Sequence, residues 1–299
     1  MFFTAMTTKS VEVPSSKRRN RAISLDTLAM CEEHPDMIDL SACVSADQQV
    51  ELVAALGELG WKSTAGLRSS QLSTGLSNKN YRVSSTDDGP LFLRVYGPTV
   101  GDTNMDERHI QECGSFGASI VHRFGWGRLE TWLPGRLMTR ADCDDKPIMT
   151  ALAREVRRLH TTTQRNHNDV NLTNIMVVDG SEPVVHIFDF EYAGPLDPPL
   201  ELANFFLEWT YDNSSEEWWV HDPTCFPTLE QARHFVVLYL GDEATAAAVD
   251  DFLALILDGI PKVHLKWSDW ATTHFPDRPD YVEFAKRRHA LAQLAPAFN

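Results

Sequence analysis

A short polar stretch near the middle of the chain carries the residues best suited to catalysis. It contains His167 and Asp169, Asn174 follows five residues after the aspartate, and Asp189 comes after a short apolar segment. Phosphoryl transfer needs a carboxylate that accepts the proton of the attacking hydroxyl, and oxygen ligands that hold Mg²⁺ against the phosphates. We therefore predict Asp169 as the base and Asn174 and Asp189 as Mg²⁺ ligands. His167 completes the catalytic set as a residue that orients the loop rather than one that takes protons.

The segment between the two aspartates is predicted to be a small hairpin. Met176–Val178 and Val184–Phe188 are rich in β-forming residues and flank a turn pattern. A hairpin returns the chain to the point where it began, so Asp189 would lie close to Asp169 and a metal ion could be shared. The alternative interpretation is a polar turn before a hairpin, with Asp189 capping the next element.

The half of the chain before this stretch has the pattern of an antiparallel sheet, and we predict that it holds the nucleotide. Short segments rich in β-forming residues alternate with turn residues, after one helical pattern. The predicted elements are a helix at Ala46–Leu59, strands at Leu67–Leu72, Asn80–Ser84 and Leu91–Tyr96, a short polar helix at Asn104–Glu112, and strands at Ser119–Phe124 and Arg128–Trp132.

Candidate nucleotide contacts fall in one loop, one strand and one hinge of this half. Gly75, Ser77 and Asn78 lie between two strands, where a loop can cover phosphates, although a lone glycine is equally typical of an ordinary hairpin turn. Strand alternation directs Arg94 away from its apolar neighbours, toward nucleotide phosphates or into solvent. The remaining candidates are Glu107, as a partner for Arg94, and the hinge residues Glu130 and Leu133, in a segment whose backbone is suited to pair with a purine edge.

The second half of the chain is predicted to be mostly helical. A helical face of Ile148, Leu152, Val156 and Leu159 precedes the catalytic stretch. Further helices are predicted at Leu200–Tyr211, Leu229–Leu240, Ala244–Asp258, Lys262–Thr272 and Asp280–Leu294. A β-rich half followed by an α-rich half predicts an α+β fold in two lobes, with a ligand cleft between them. We expect a disordered leader at residues 1–40, a nucleotide-binding N-lobe at 41–134 and a helical C-lobe at 135–299.

Aromatic side chains recur at helical spacing near the C-terminus. Trp267 and Trp270 are three residues apart on one predicted helix, and Tyr281 and Phe284 repeat that spacing on the next. Aromatic faces around a site bind an ammonium group by cation–π attraction, and Glu208 would add a counter-charge. A plain aromatic core seam is the alternative interpretation.

The composition excludes several classes of function. The chain has 299 residues and a net charge of −15, so a surface dominated by binding to nucleic acid or an anionic membrane is not expected. No apolar run reaches the length of an integral membrane segment. The five cysteines are scattered without zinc-binding spacing, which favours a reducing, cytoplasmic compartment. The leader is expected to be a basic tail, with a mitochondrial transit peptide as the alternative.

Seven short segments of the chain occur in the order found in one family of kinase-like proteins, and the loop together with the segments around Asp189 and Glu208 is specific to it. The seven segments are Gly75–Asn78, Leu93–Gly97, Gly127–Glu130, His167–Asn174, Phe188–Tyr192, Phe206–Asp212 and His264–Trp270. With them the chain resembles the choline/ethanolamine kinase family. The resemblance implies a bilobal protein-kinase-like fold and a transferase that uses ATP and Mg²⁺ to phosphorylate the hydroxyl of choline or ethanolamine for phospholipid synthesis. It also implies a small amino alcohol as partner, leaves a homodimer possible, and adds Asn171 and Tyr192 to the residues around the amine.

Two departures from the family pattern bear on activity. Only residues 161–166 separate a predicted helix from His167, where the family has a long insertion that includes the helix supporting the catalytic loop. Glu201 stands where the family has an aspartate, and one extra CH₂ shifts a carboxylate by about 1 Å, which catalytic geometry tolerates poorly. A catalytically impaired, kinase-like interaction protein is therefore the alternative function, and a kinase for another small hydroxyl substrate is a third.

Overall fold

The computed structural model of the chain contains two groups of elements, each with its own hydrophobic core. It describes residues 44–62, 67–74, 78–97, 108–110, 116–213, 215–242 and 244–298. The leader at 1–40 and most of the predicted helix Asn104–Glu112 lie outside the described residues.

A five-stranded antiparallel sheet forms the first group. Its strands are β1 (Arg68–Thr74), β2 (Asn78–Ser84), β3 (Leu91–Tyr96), β4 (Ile120–Phe124) and β5 (Gly127–Thr131), in the spatial order β1-β2-β3-β5-β4. Helix α1 (Ala46–Glu58) precedes them and begins at a capping box formed by Ser45 and Gln48. The apolar face of α1, with Leu52 and Leu56, shares a core with Leu93 of the sheet. The predicted three-strand meander and the two strands that follow it are therefore confirmed.

The second group contains short strands and five long helices. The strands are β6 (Arg136–Leu137), β7 (Arg165–Asn166), β8 (Ile175–Val178), β9 (Val184–Ile187) and β10 (Gly194–Pro195), and the helices are α2 (Lys146–Thr163), α3 (Pro198–Glu208), α4 (Leu229–Leu240), α5 (Ala246–His274) and α6 (Pro279–Leu291). Strands β8 and β9 form the predicted hairpin, and β7 pairs with β10. The α+β architecture predicted from the sequence is thus present.

Helix α5 differs from the prediction, because one continuous helix replaces the two expected at Ala244–Asp258 and Lys262–Thr272. It runs through Pro261, which cannot donate a backbone hydrogen bond. Gly259 lies where a Cβ atom would come within 3.0 Å of the Cβ of Ala203, so α5 packs very closely on α3 there. This packing outweighs the local preference of proline for a helix end, which is the signal that misled the sequence interpretation.

A tight turn and an ion-pair network fix the chain where it enters the second group. Gly135 has a φ of 107°, and a Cβ atom there would lie 2.3 Å from the carbonyl oxygen of Val177, so only glycine fits. The next residue, Arg136, donates two hydrogen bonds to the carboxylate of Asp142, at 2.7 and 2.8 Å. It also contacts Asp179 in the turn between β8 and β9, with Nε 2.8 Å from Oδ2. The network joins β6 to the hairpin that leads to Asp189.

The described cysteines are free thiols. Cys143 is buried, and burial raises its pKa to about 12, so it is a poor nucleophile. Cys225 is partly exposed, whereas Cys31, Cys43 and Cys113 lie outside the described residues. Within the described part of the chain, no helix combines the length and the apolar character required to cross a bilayer.

We expect Arg136→Met to lower the free energy of unfolding by about 2–3 kcal/mol, because it leaves the buried carboxylate of Asp142 without its bidentate partner. Asp179→Asn should cost less than about 1 kcal/mol, because the Asp179 side chain is 61% exposed. Urea denaturation of both variants measures the difference. Equal losses would show that the buried Asp142 contact is not the dominant part of the network.

Candidate active site

The predicted catalytic stretch forms a loop that follows α2 and β7. Helix α2 ends at Thr163, Gln164 adopts the left-handed conformation with a φ of 56°, and β7 begins at the next residue. The short connection 161–166 therefore consists of the last turn of α2 and strand β7. Helix α2 itself supports the loop, without a further helix in between.

Glu201 on α3 reaches this loop despite being longer than the aspartate expected at its position. Both oxygens of its buried carboxylate lie 3.0 Å from the backbone nitrogen of Asn168, which donates to them. The Nε2 atom of His160 on α2 lies 3.6 Å from Glu201 Oε2. Burial opposes the charge of Glu201, but the contacts with His160 and with the Asn168 backbone outweigh it and lower the pKa. One ionised carboxylate thus joins α2, α3 and the loop.

His167 is fully buried and orients the loop. Its Nε2 atom lies 2.8 Å from the carbonyl oxygen of Phe188, and the backbone N–H of Asp169 lies 3.2 Å from its Nδ1 atom. With Nδ1 as acceptor, Nε2 must carry the hydrogen that is donated to Phe188. Burial lowers the pKa of His167, which keeps the ring neutral. These contacts suit a positioning role.

Asp169 and Asn174 are in direct contact. The side-chain nitrogen of Asn174 donates to Oδ2 of Asp169 at 2.9 Å and to its backbone oxygen at 3.0 Å. The amide oxygen of Asn174 is then directed away from this contact, as a metal ligand requires. Desolvation, reinforced by the carboxylate of Glu208, raises the pKa of Asp169 well above its ordinary value. A carboxylate with a raised pKa is a stronger proton acceptor when ionised.

Asp189 lies at the end of the hairpin and pairs with the sheet of the first group. Its backbone is left-handed, with a φ of 70°, and its Oδ1 atom accepts a hydrogen bond from Nη1 of Arg94 at 2.9 Å. The Nε atom of Arg94 lies 3.4 Å from Oε1 of Glu130, which also accepts from Nε of Arg128 at 2.6 Å. Arg94 is buried, so the solvent-exposed alternative considered for it is wrong. It connects β3 to the predicted metal ligand.

The backbone next to Arg94 is close-packed. A Cβ atom at Gly127, the first residue of β5, would lie 2.4 Å from the carbonyl oxygen of Arg94. Glycine therefore allows β3 and β5 to pair at this point with their normal spacing. The same pairing sets the position from which the Arg94 side chain reaches Asp189.

The donor atoms present at this site fit Mg²⁺. Asn174 and Asp189 offer amide and carboxylate oxygens, the ligands that Mg²⁺ prefers when phosphates and water complete its shell. The described residues contain no group of three or more His, Cys, Asp and Glu side chains arranged around a common metal position.

Only some of the remaining candidate nucleotide-binding residues lie in the described part of the chain. Gly75, Ser77 and Glu107 lie outside the described residues. Asn78 is buried at the start of β2, opposite Tyr96 of β3. The side chain of Glu130 is buried against two arginines, so only its backbone remains as a nucleotide contact. Leu133 is partly exposed just after β5, where the chain passes between the two groups of elements.

Four of the predicted amine-binding rings form one cluster beside the loop. Tyr192 lies edge-on to Trp267 and Trp270, with ring centres 5.7 and 6.3 Å apart. The centres of Trp267 and Trp270 are 5.5 Å apart, and that of Tyr281 lies 5.8 Å from Trp270. The ring nitrogen of Trp267 donates to Oδ1 of Asn204 at 2.7 Å, which fixes its orientation. The structure thus brings rings from α5, α6 and the segment after Asp189 together.

Glu208 and Phe284 are coupled to a buried arginine. Arg288 on α6 donates to Oε1 of Glu208 at 2.7 Å, and its guanidinium carbon lies 4.9 Å from the ring centre of Phe284. The same carbon lies 3.9 Å from the ring centre of Tyr211. The counter-charge predicted for a substrate amine therefore already has one cation as partner. Asn171 contacts the loop itself: its side-chain nitrogen donates to the backbone oxygen of Asp169 at 3.2 Å, and its side-chain oxygen accepts from the backbone nitrogen of Thr173 at 2.8 Å.

Several residues that shape this site were missed by the sequence interpretation. They are Lys266, Trp218, Asn204, Tyr211 and Arg288. The ammonium group of Lys266 contacts the catalytic loop. Trp218 packs against both Tyr281 and Phe284. A signal existed for Lys266 and Arg288, because each is a charged residue beside the aromatic positions of a helix. No signal existed for Trp218, which lies in a region without periodicity.

Comparisons with known proteins agree with this arrangement. The family model described as choline/ethanolamine kinase matches residues 162–293. A choline/ethanolamine kinase of Homo sapiens is 36% identical over 253 residues, an alignment that covers 59% of this chain and 64% of that protein. The chain is thus similar to the choline/ethanolamine kinases, and the family model falls on its second half. This agrees with the resemblance identified from the short segments of the sequence.

Two further relatives, described as a choline kinase and an ethanolamine kinase, extend the similarity. Probable choline kinase 3 of Arabidopsis thaliana is 24% identical, and the alignment covers 66% of this chain and 76% of that protein. The structure of an ethanolamine kinase from Plasmodium vivax superposes with a TM-score of 0.67 at 16% identity, covering 84% of this chain and 89% of that one. The chain spans just under two thirds of the human relative. The structural likeness confirms the protein-kinase-like fold.

We expect His264 on α5 to make the protein less stable in acid. Burial lowers its pKa from 6.5 to about 3, with Arg288 acting in the same direction. The unfolded chain therefore binds a proton that the folded protein excludes, so the free energy of unfolding falls as the pH drops from about 6.5 toward about 3. His264→Gln should flatten this dependence by up to about 1.4 kcal/mol per pH unit. Urea denaturation between about pH 7.5 and about pH 5 tests this, and parallel curves for variant and wild type would contradict it.

Proposed function

We propose that this chain transfers the γ-phosphoryl group of ATP to the hydroxyl of choline or ethanolamine, giving phosphocholine or phosphoethanolamine. The proposal rests mainly on one observation, the contact of Asp169 with Asn174 in a loop that also lies beside the aromatic cluster. The family supports the same class of substrate, because the relatives are described as choline kinases, ethanolamine kinases or both.

The proposed reaction uses Asp169 as the base. The substrate hydroxyl would donate its proton to the free carboxylate oxygen of Asp169 while the substrate oxygen attacks the γ-phosphorus, and ADP would leave. His167 holds the backbone N–H of Asp169, which keeps the carboxylate directed at the acceptor. Mg²⁺ bound by Asn174 and Asp189 would neutralise charge on the phosphates. Arg94 adds a buried positive charge next to Asp189.

The aromatic cluster is the proposed site for the ammonium group of the acceptor. Tyr192 connects it to the catalytic loop, because its carbonyl oxygen accepts a hydrogen bond from the side chain of Asn168 at 3.0 Å. Rings from several elements offer both π-faces and an apolar environment that a quaternary ammonium tolerates well. The cluster can serve either amine, so the preference between choline and ethanolamine is left to experiment.

The contacts of the loop accommodate both departures from the family pattern. The longer Glu201 accepts hydrogen bonds from the backbone N–H of Asn168, and α2 passes into β7 through one left-handed residue, Gln164. These contacts support an active enzyme over the impaired, kinase-like alternative. We further propose a cytoplasmic role in supplying precursors for phospholipid synthesis, and a homodimer stays a prediction.

We expect Asp169→Ala to lower kcat by about 10²- to 10⁴-fold, because the substrate proton loses its acceptor. The measurement is a coupled assay of ADP release with Mg-ATP and either amine. Asp258→Asn, which removes an exposed carboxylate on α5, is the control and should turn over like the wild type. An Asp169 variant with the wild-type rate would overturn the assignment of the base. A wild type that melts cooperatively but turns over neither amine would favour the impaired alternative.

We expect Trp270→Leu to raise KM for choline by roughly 5- to 20-fold, the effect of losing a cation–π contact of about 1–2 kcal/mol. The increase for ethanolamine should be smaller, because a primary ammonium can also donate hydrogen bonds. Trp126→Leu, in the turn between β4 and β5, is the control for the loss of an indole. Equal increases for both amines would show that the cluster is a structural seam rather than an ammonium site.

A further inference from the structure

Lys266 on α5 directs its ammonium group into the catalytic loop. Its Nζ atom donates to the backbone oxygen of Asn168 at 2.6 Å and lies 4.7 Å from the ring centre of Trp267. Burial lowers the pKa of Lys266, opposed by the carboxylates of Asp169, Glu201 and Glu208. The ammonium therefore lies among the charges of the site while its hydrogen bond goes to the loop backbone.

The carbonyl group that Lys266 contacts is that of Asn168, in the peptide bond between Asn168 and Asp169. Asn168 has a φ of 64°, an unfavourable region for a residue other than glycine, so its neighbours must hold it there. Its N–H donates to Glu201 and its side chain donates to the carbonyl of Tyr192. The next N–H, that of Asp169, donates to His167. Lys266 supplies the contact on the remaining polar group of this peptide, the carbonyl oxygen.

We propose that Lys266 is a positioning residue for Asp169, which it holds by fixing the plane of the Asn168–Asp169 peptide. A peptide plane fixed at both its oxygen and its N–H sets the direction in which the next side chain leaves the backbone. The proposal deepens the proposed function, because it concerns the same base. A charged donor is favoured over a neutral one here, since three carboxylates surround the loop and a charge-assisted hydrogen bond is stronger.

The kinetic test compares Lys266→Met, Lys266→Gln and Lys266→Arg with the wild type. The methionine removes the donor with little change in volume, and we expect kcat to fall about tenfold or more while KM for ATP and for the amine changes less than about threefold. The glutamine should recover part of the rate and the arginine more. Lys262→Met, four residues earlier on α5 and exposed, is the matched control and should behave as wild type. A methionine variant with unchanged kcat, or a loss that appears mainly in KM, would overturn the proposal.

A second measurement does not depend on turnover. Hydrogen–deuterium exchange of a peptide that covers residues 167–170 should be faster in Lys266→Met than in the wild type, with α2 and α3 unchanged. Unchanged exchange in the loop would overturn the positioning role, and faster exchange throughout α5 would show general destabilisation instead. If the wild type turns over neither amine, the proposed function fails, and the exchange result alone decides the role of Lys266.

Discussion

The rest of the site depends on the contact between the buried carboxylate of Glu201 and the backbone N–H of Asn168. An ionised carboxylate in an apolar interior is costly unless it is hydrogen-bonded, and here the backbone N–H of Asn168 donates to it while the ring of His160 lies 3.6 Å away. Because Asn168 is held in a left-handed conformation, the backbone turns sharply and Asp169 projects toward Asn174. The carboxylate that holds the loop in place is therefore a fully buried one, bound to the loop backbone.

A second charge pair connects the sheet to the helices. Arg94 lies on β3 and Asp189 lies after β9, yet their side chains meet at 2.9 Å. Glu130 and Arg128 surround Arg94 with further charge, so its position is determined by the sheet rather than by Asp189 alone. Asp189, the proposed metal ligand, thus takes its orientation from strand pairing in the first group of elements and its location from the hairpin in the second.

The sequence predicted the local structure around the loop well and the tertiary partners of its residues poorly. The loop, the hairpin and the two aspartates follow from short-range spacing, and the structure places Asp169 and Asn174 in contact as that spacing requires. The contacts of Glu201, Arg94 and Lys266 join residues far apart in the chain, and no local pattern encodes them. The single helix α5 was missed for the same reason, because close packing against α3 compensates for Pro261.

The close approach at Gly127 makes the position of Arg94 depend on the absence of a side chain at residue 127. Any side chain at that position would press against the backbone of Arg94 and separate β3 from β5. The displaced strand would carry the guanidinium away from Asp189, although residue 127 is not one of the proposed site residues. A substitution at this end of β5 would therefore impair the proposed binding of metal and nucleotide and leave the proposed catalytic residues unchanged.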